Sequence, residues 1–172
     1  AYWPGWTADV RRYMRMCTPC SRYHRGGVPK NSGLKPLPVG DFWERVSIDI
    51  TGPHPRSKHG NNYLLTVMDG FTKWADALPI PNHTATTVAR VLFNRVFVYY
   101  GMPLQLLSDQ GPEFESALFQ ELCHWMGIEK VRTTPYKAST NGMLERWHRC
   151  LNTVLAKIVS ENQRDWCERA PI

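Results

Sequence analysis

From Trp43 onward the order of apolar and polar residues follows first one period and then another, and the change between them outlines a fold. The runs VSIDITG (46–52) and NYLLTVMDGF (62–71) are β-type, and the polar stretch HPRSKHGN separates them, which predicts two strands joined as a hairpin. KWADALPI (73–80) alternates through Trp74, Ala75, Ala77, Leu78 and Ile80 and predicts a third strand, closed by Pro79 and Pro81. The period then becomes helical. Val88, Val91, Leu92, Val96 and Tyr99 form one stripe, Thr84 or Thr86 can cap its start, and Gly101-Met102-Pro103 stops it. LQLLSD (104–109) reads as a buried strand, FESALFQELCHWMG (114–127) as an amphipathic helix ended by Gly127, and IEKVRTT (128–134) as a fifth strand. A long helix follows from about Thr140 through LERWHRCLNTVLAKIV. The predicted order is β-β-β-α-β-α-β-α, an antiparallel meander continued by parallel crossovers. That is an α/β fold with a mixed five-stranded sheet and flanking helices.

The region before Trp43 has a different texture. Residues 1–24 read as a helical remnant ending in CTPC, and RGGVPKNSGLKPLPVG (25–40), with four Gly and three Pro, reads as an extended linker to a main domain at 41–172. A length of 172 residues suits one medium domain with an appendage. At 42% hydrophobic and 21% charged residues the composition is of the soluble globular type, no run approaches a membrane span, and the start is not a signal peptide, so a cytosolic or nuclear setting is expected. Charge is uneven: residues 1–40 hold seven basic residues against Asp9 alone, which accounts for the whole net +6, while the rest balances at fourteen of each sign. A basic arm beside a neutral body fits a polyanionic partner, nucleic acid more than membrane; the competing reading is a solvated arm. Five cysteines, an odd number with only Cys17 and Cys20 closely spaced, argue for reduced thiols. Cys123, Cys150 and Cys167 read as small hydrophobes or inert thiols, and Trp125 and Trp147 as core residues within apolar stripes.

Three acids stand apart from the fifteen. Asp49 interrupts an apolar strand between Ile48 and Ile50, where a carboxylate is costly without compensation. Asp109 ends a parallel-type strand, the position at which open α/β sheets bind ligands. Glu145 opens the long helix on a face with His148, Arg149, Asn152 and Ala156, beside the stripe of Leu144, Trp147, Leu151, Val154, Leu155 and Ile158. By itself Glu145 reads equally as a helix-dipole or Arg149 partner. Together the three are hard oxygen donors suited to Mg²⁺ or Mn²⁺ more than zinc, and two such ions could support in-line phosphoryl displacement without a covalent nucleophile. Asp69, which also ends a strand, is the rival first carboxylate; it is expected to be a structural acid near the turn at Gly70.

In order and spacing, IDITGP, VMDGFTKW, SDQGPEF and TPYKASTNGMLERWHR resemble the catalytic core of retroelement integrases, those of gypsy-type LTR retrotransposons above all. The resemblance covers nearly the whole chain. It implies a ribonuclease H-like fold and a DDE-type polynucleotidyl transferase that trims element 3′ ends and joins them to target DNA with two Mg²⁺ (or Mn²⁺) ions. The family's triad falls on Asp49, Asp109 and Glu145, with 35 residues between the last two. Tyr136, Lys137, Asn141, His148 and Arg149, on the loop and helix face beside Glu145, become the expected DNA contacts. Expected partners are element and target DNA and further copies of the chain on that DNA, with no membrane. The expected setting is the nucleus, after cytoplasmic synthesis within a Pol polyprotein.

YWPGW…VRRYMRMCTPC is similar to the end of the family's HHCC zinc module. Cys17 and Cys20 would be two ligands of an incomplete Zn²⁺ site, completed only by a histidine pair upstream of Tyr2; His24 is the one local addition. The sequence is therefore expected to be a polyprotein fragment or gene remnant without the zinc pair and without the C-terminal DNA-binding domain. It also departs from the family at Lys137-Ala138-Ser139, where relatives carry His-Pro-Gln or Asn-Pro-Gln, which frees the loop and adds a phosphate partner or is neutral drift. Two other functions share the fold: a domesticated, non-catalytic nucleic-acid- or protein-binding module, and a plain ribonuclease H-like nuclease.

Overall fold

The computed structural model describes residues 3–18, 40–132, 138–160 and 163–170, the side chains at 138–143 and 145 excepted. The elements are α1 (Trp6–Met16), β1 (Arg45–Thr51), β2 (Tyr63–Asp69), β3 (Ala75–Ile80), α2 (Ala85–Leu92, running on through a π-helical turn at Phe93–Phe97 into Val98–Tyr100) and β4 (Gln105–Ser108). They continue with α3 (Pro112–Glu115), α4 (Ala117–Trp125), β5 (Glu129–Arg132), α5 (Ala138–Ile158) and α6 (Trp166–Arg169). The proposed boundary at 24/25 and most of the linker lie outside the described residues.

The strands form one sheet in the order β3-β2-β1-β4-β5. β1 pairs antiparallel with β2, β2 with β3, and the β1–β4 and β4–β5 pairs are parallel. The meander continued by crossovers is thus the one the change of period predicts. Alternation in β1 sends Val46 and Ile48 to a large core with Leu65, Val67, Leu92, Leu106 and Phe119. On the other face Leu64 and Ala77 meet Leu151, Leu155, Trp166 and Cys167, so α5 and α6 cover what α2 and α4 do not.

Four local details differ from the periodicity, each for a physical reason. Pro79 lies inside β3, paired with Leu64, and is tolerated because β3 is a sheet edge, where a missing N–H breaks no ladder. The expected second helix is broken at Ser116, whose extended backbone and side chain, accepting from Phe119 N, cap α4. The π-helical turn shifts the phase of α2, so Phe97 is buried at 3% exposure and Tyr99 is turned out at 73%. Trp125, expected in the core, is 85% exposed, because α4 offers Phe119 and Cys123 to the core and Trp125 falls off that face.

Two polar ties fix the frame. Trp166 Nε1 donates to Pro55 O at 2.7 Å, and Lys58 N to Arg164 O at 3.0 Å, holding α6 against the β1–β2 loop. Ser160 donates twice to Asp165, through its backbone N at 3.0 Å and its hydroxyl at 2.7 Å, which holds the Asp165 carboxyl below the usual carboxylate range. Across the sheet, Lys130 Nζ on β5 donates to Ser108 Oγ at 2.5 Å and lies 3.7 Å from Glu115, which also receives Arg132 at 2.5 Å. Burial lowers the Lys130 pKa, and Glu115 opposes that shift.

Trp166→Ala should cost about 3 kcal/mol of unfolding free energy in urea, since it empties the smaller core and removes the tie to Pro55. Glu115→Gln should cost about 2 kcal/mol, because it leaves the Lys130 ammonium buried beside a neutral group, and Lys130→Met should cost less, Glu115 keeping Arg132. His54, tilted against Trp166 with a ring-centroid separation of 5.2 Å, has a pKa lowered by burial from 6.5. With its pKa lowered in the folded state, the unfolded state takes up more protons as pH falls through 6.5. The melting temperature should therefore fall on acidification through that range, and fall less steeply in His54→Gln.

Candidate active site

Asp49 and Asp109 come from adjacent parallel strands. The β1–β4 register pairs Ser47 with Leu107, and two residues further along both chains stand Asp49 and Asp109, each on the face opposite the Val46, Ile48 and Leu106 core. Asp109 lies one residue beyond β4, where its Oδ1 accepts from Gly111 N at 3.0 Å. A Cβ on Gly111 would stand 2.9 Å from Glu113 Oε1 and 3.1 Å from Asp109 Oδ1, so a side chain there would crowd the Asp109 carboxylate. Pro112 then opens α3 and leads the chain away.

Each aspartate is held at its backbone by a hydroxyl from a fully buried neighbour. Thr66, opposite Asp49 on β2, donates to Asp49 O at 2.9 Å, and Ser108 donates to Asp109 O at 2.8 Å. Behind each hydroxyl stands a nitrogen, His148 Nε2 at 2.6 Å from Thr66 and Lys130 Nζ at 2.5 Å from Ser108. Sequence reasoning passes over Thr66, Ser108, Glu115 and Lys130; the available signals were a polar residue inside the apolar run YLLTVMD and a serine directly before Asp109.

The helix α5 lies against β1 through this face. His148, expected on a DNA-facing surface, has its ring turned to the sheet: the side chain is 11% exposed and Nδ1 lies 3.5 Å from Asp49 Oδ2, whose side chain is 23% exposed. Burial pushes the imidazole pKa down to about 4. Position 145 is three residues before His148 on α5, so its backbone is within one helical turn of the meeting with β1; the Glu145 side chain lies outside the described residues. Arg149 is exposed and Asn141 lies in the first turn of α5, its side chain not described, while Tyr136 and Lys137 lie outside the described residues. Asp69 is the structural acid expected, accepting from Thr72 N at 2.8 Å and Thr72 Oγ1 at 2.6 Å, opposite Val46 rather than Asp49. Cys17 follows α1, donating from its N to Tyr13 O at 3.1 Å, and Cys20 lies outside the described residues.

Among the described residues no group of three or more His, Cys, Asp and Glu side chains is poised to hold a metal ion. Asp49, within β1, and Asp109, just past the end of β4, are nonetheless oxygen donors on neighbouring strands, which fits a hard divalent ion. No helix among the described residues is long and apolar enough to cross a membrane.

The family model "Integrase core domain" matches residues 43–138. The retrovirus-related Pol polyprotein from transposon 412 of Drosophila melanogaster is 30% identical over 169 residues, which are 96% of this chain and 13% of that protein. The gypsy retrotransposon integrase-like protein 1 of Mus musculus is 29% identical over 99% of this chain and 32% of its own length. The chain thus spans a minor part of these relatives. The crystal structure of the catalytic core domain of BIV integrase is similar with a TM-score of 0.54 at 29% identity, over 66% of this chain and 69% of that one. The cryoEM structure of a simian T-cell lymphotropic virus intasome, in complex with PP2A regulatory subunit B56 gamma, shares the fold with a TM-score of 0.63 at 23% identity, over 95% of this chain and 59% of that one. With a ribonuclease H-like sheet, two aligned aspartates and a family match over more than half its length, the chain belongs to the integrase core domain family of retroviral and retrotransposon Pol proteins.

Proposed function

We propose that this chain is the catalytic segment of a retroelement integrase, joining element DNA ends to target DNA by divalent-metal-dependent polynucleotidyl transfer. The observation that carries the reading is the register of β1 on β4, which sets Asp49 beside Asp109 on the face that α5 crosses. Asp49, Asp109 and Glu145 are the residues that would hold the ions. The bound ions supply Lewis-acid stabilisation of the attacking and leaving oxygens of the scissile phosphate. The chain's own part is positional. Thr66 and Ser108 hold the aspartate carbonyls, so the carboxylates need little reorganisation when loaded. Water is the first nucleophile, at the element's 3′ ends, and the freed 3′-hydroxyl is the second, at a target phosphate.

Arg149, exposed on α5, and Tyr136, Lys137 and Asn141 near its start contact DNA phosphates and sugars. The chain acts as a multimer on DNA, in the nucleus; synthesis within a polyprotein is supported by its likeness to the Pol polyprotein from transposon 412. The residues around the aspartates speak against a domesticated binding module: two backbone-holding hydroxyls serve paired carboxylates, which a non-catalytic surface does not need.

The test is a DNA nicking or disintegration assay in Mn²⁺, with Mg²⁺ as second metal. Asp109→Asn should lower the rate about a hundredfold or more, several kcal/mol of transition-state stabilisation being lost. Mg²⁺ should raise the melting temperature of the wild type and not of Asp49→Asn. Equal activity in Asp109→Asn and wild type would overturn the assignment.

A further inference from the structure

Thr66 Oγ1 has a single proton, which it gives to the Asp49 carbonyl at 2.9 Å. Towards His148 the same oxygen must therefore accept, and the 2.6 Å contact is a donation from His148 Nε2–H. With Nε2 engaged by Thr66, Nδ1 is the nitrogen left to face Asp49 Oδ2, 3.5 Å away. The space between these two atoms can hold either a proton or a metal ion. Two ligands each about 2.1 Å from one ion stand roughly 3–3.5 Å apart, so the gap is of the size a shared divalent ion fills. The protein scaffold also has the form of a metal-ligating histidine, whose second nitrogen donates to a neighbour that sets tautomer and ring orientation; here that neighbour is the buried Thr66 hydroxyl.

We propose that His148 Nδ1 is a metal ligand, sharing with Asp49 one of the ions of the catalytic site. The proposal rests on the function assigned above and adds to it a nitrogen donor, which turns an all-carboxylate set into a mixed one. An imidazole raises affinity for Mn²⁺, Co²⁺ and Zn²⁺ relative to Mg²⁺, so the site discriminates among divalent ions more sharply than oxygen donors alone would. The DNA-facing role expected for His148 passes to Arg149, its exposed neighbour.

The experiment is pulsed EPR of Mn²⁺ bound to the full 172-residue chain. Wild type should show electron spin-echo modulation from a directly coordinated ¹⁴N, and ¹⁵N-labelled histidine should move that modulation to the ¹⁵N frequency. In His148→Gln, whose amide nitrogen can still reach Thr66, the modulation should vanish and Mn²⁺ affinity should fall by about tenfold or more. If that variant does not fold, the labelled wild type carries the test. Mn²⁺ bound in an Asp49-dependent manner without histidine coupling means that a proton bridges the two side chains; that overturns this proposal and leaves the catalytic reading standing. Nitrogen coupling that persists in folded His148→Gln overturns it as well. Failure of Mn²⁺ to bind at all overturns both.

Discussion

The parallel pairing of β1 with β4 is the constraint on which the rest of the structure depends. β1 lies in the middle of the sheet, with Val46 and Ile48 held in the large core on one face and α5 packed on the other, and the core fixes its alternation. A slip of one residue would bury Asp49 among Ile80, Val88 and Leu92 and turn Ile48 towards α5. The large core therefore pins the register, and the register aligns the aspartates. Packing energy on one side of the sheet is in this way converted into placement of charge on the other.

A carboxylate at such a place must be tolerated by the fold before it can be used. Asp49 and Asp109 are met by the same device, a buried hydroxyl on the backbone carbonyl with a nitrogen behind it. The two nitrogens differ in consequence. Lys130 is a cation neutralised by Glu115 and tied into β5, so it stiffens the strand end below Asp109. His148 is a neutral ring brought in by α5, and it reaches the Asp49 carboxylate itself. The α5 helix thus brings His148 to this face, and its docking depends on Leu151, Leu155 and Trp166 on the far side of the same face.

The order of elements was legible in the sequence because strand and helix periods are properties of consecutive residues. VSIDITG, NYLLTVMDGF and KWADALPI announce three strands, and Val88, Leu92 and Val96 announce a helix. The triad positions could be named because IDITGP, SDQGPEF and NGMLERWHR hold their spacing along the chain. The π-helical turn at Phe93–Phe97 was not legible, since it is a response to the core that α2 meets: it lets Val96 and Phe97 be buried in succession. The exposure of Trp125 has a similar cause, the choice by α4 of Phe119 and Cys123 as its inward face.

By itself, then, the sequence determined the mixed sheet, the two aspartates at strand positions, the helix that carries Glu145 and the family to which the chain belongs. Only the tertiary structure decided what stands next to the carboxylates. Thr66 and His148 are 82 residues apart, and Ser108 and Lys130 are 22 apart, so no local pattern links either pair. Their contacts exist because pairing across the sheet and the docking of α5 close long loops, and the hydrogen-bond partners a residue finds after such closure are set by three-dimensional distance, to which periodicity along the chain is blind.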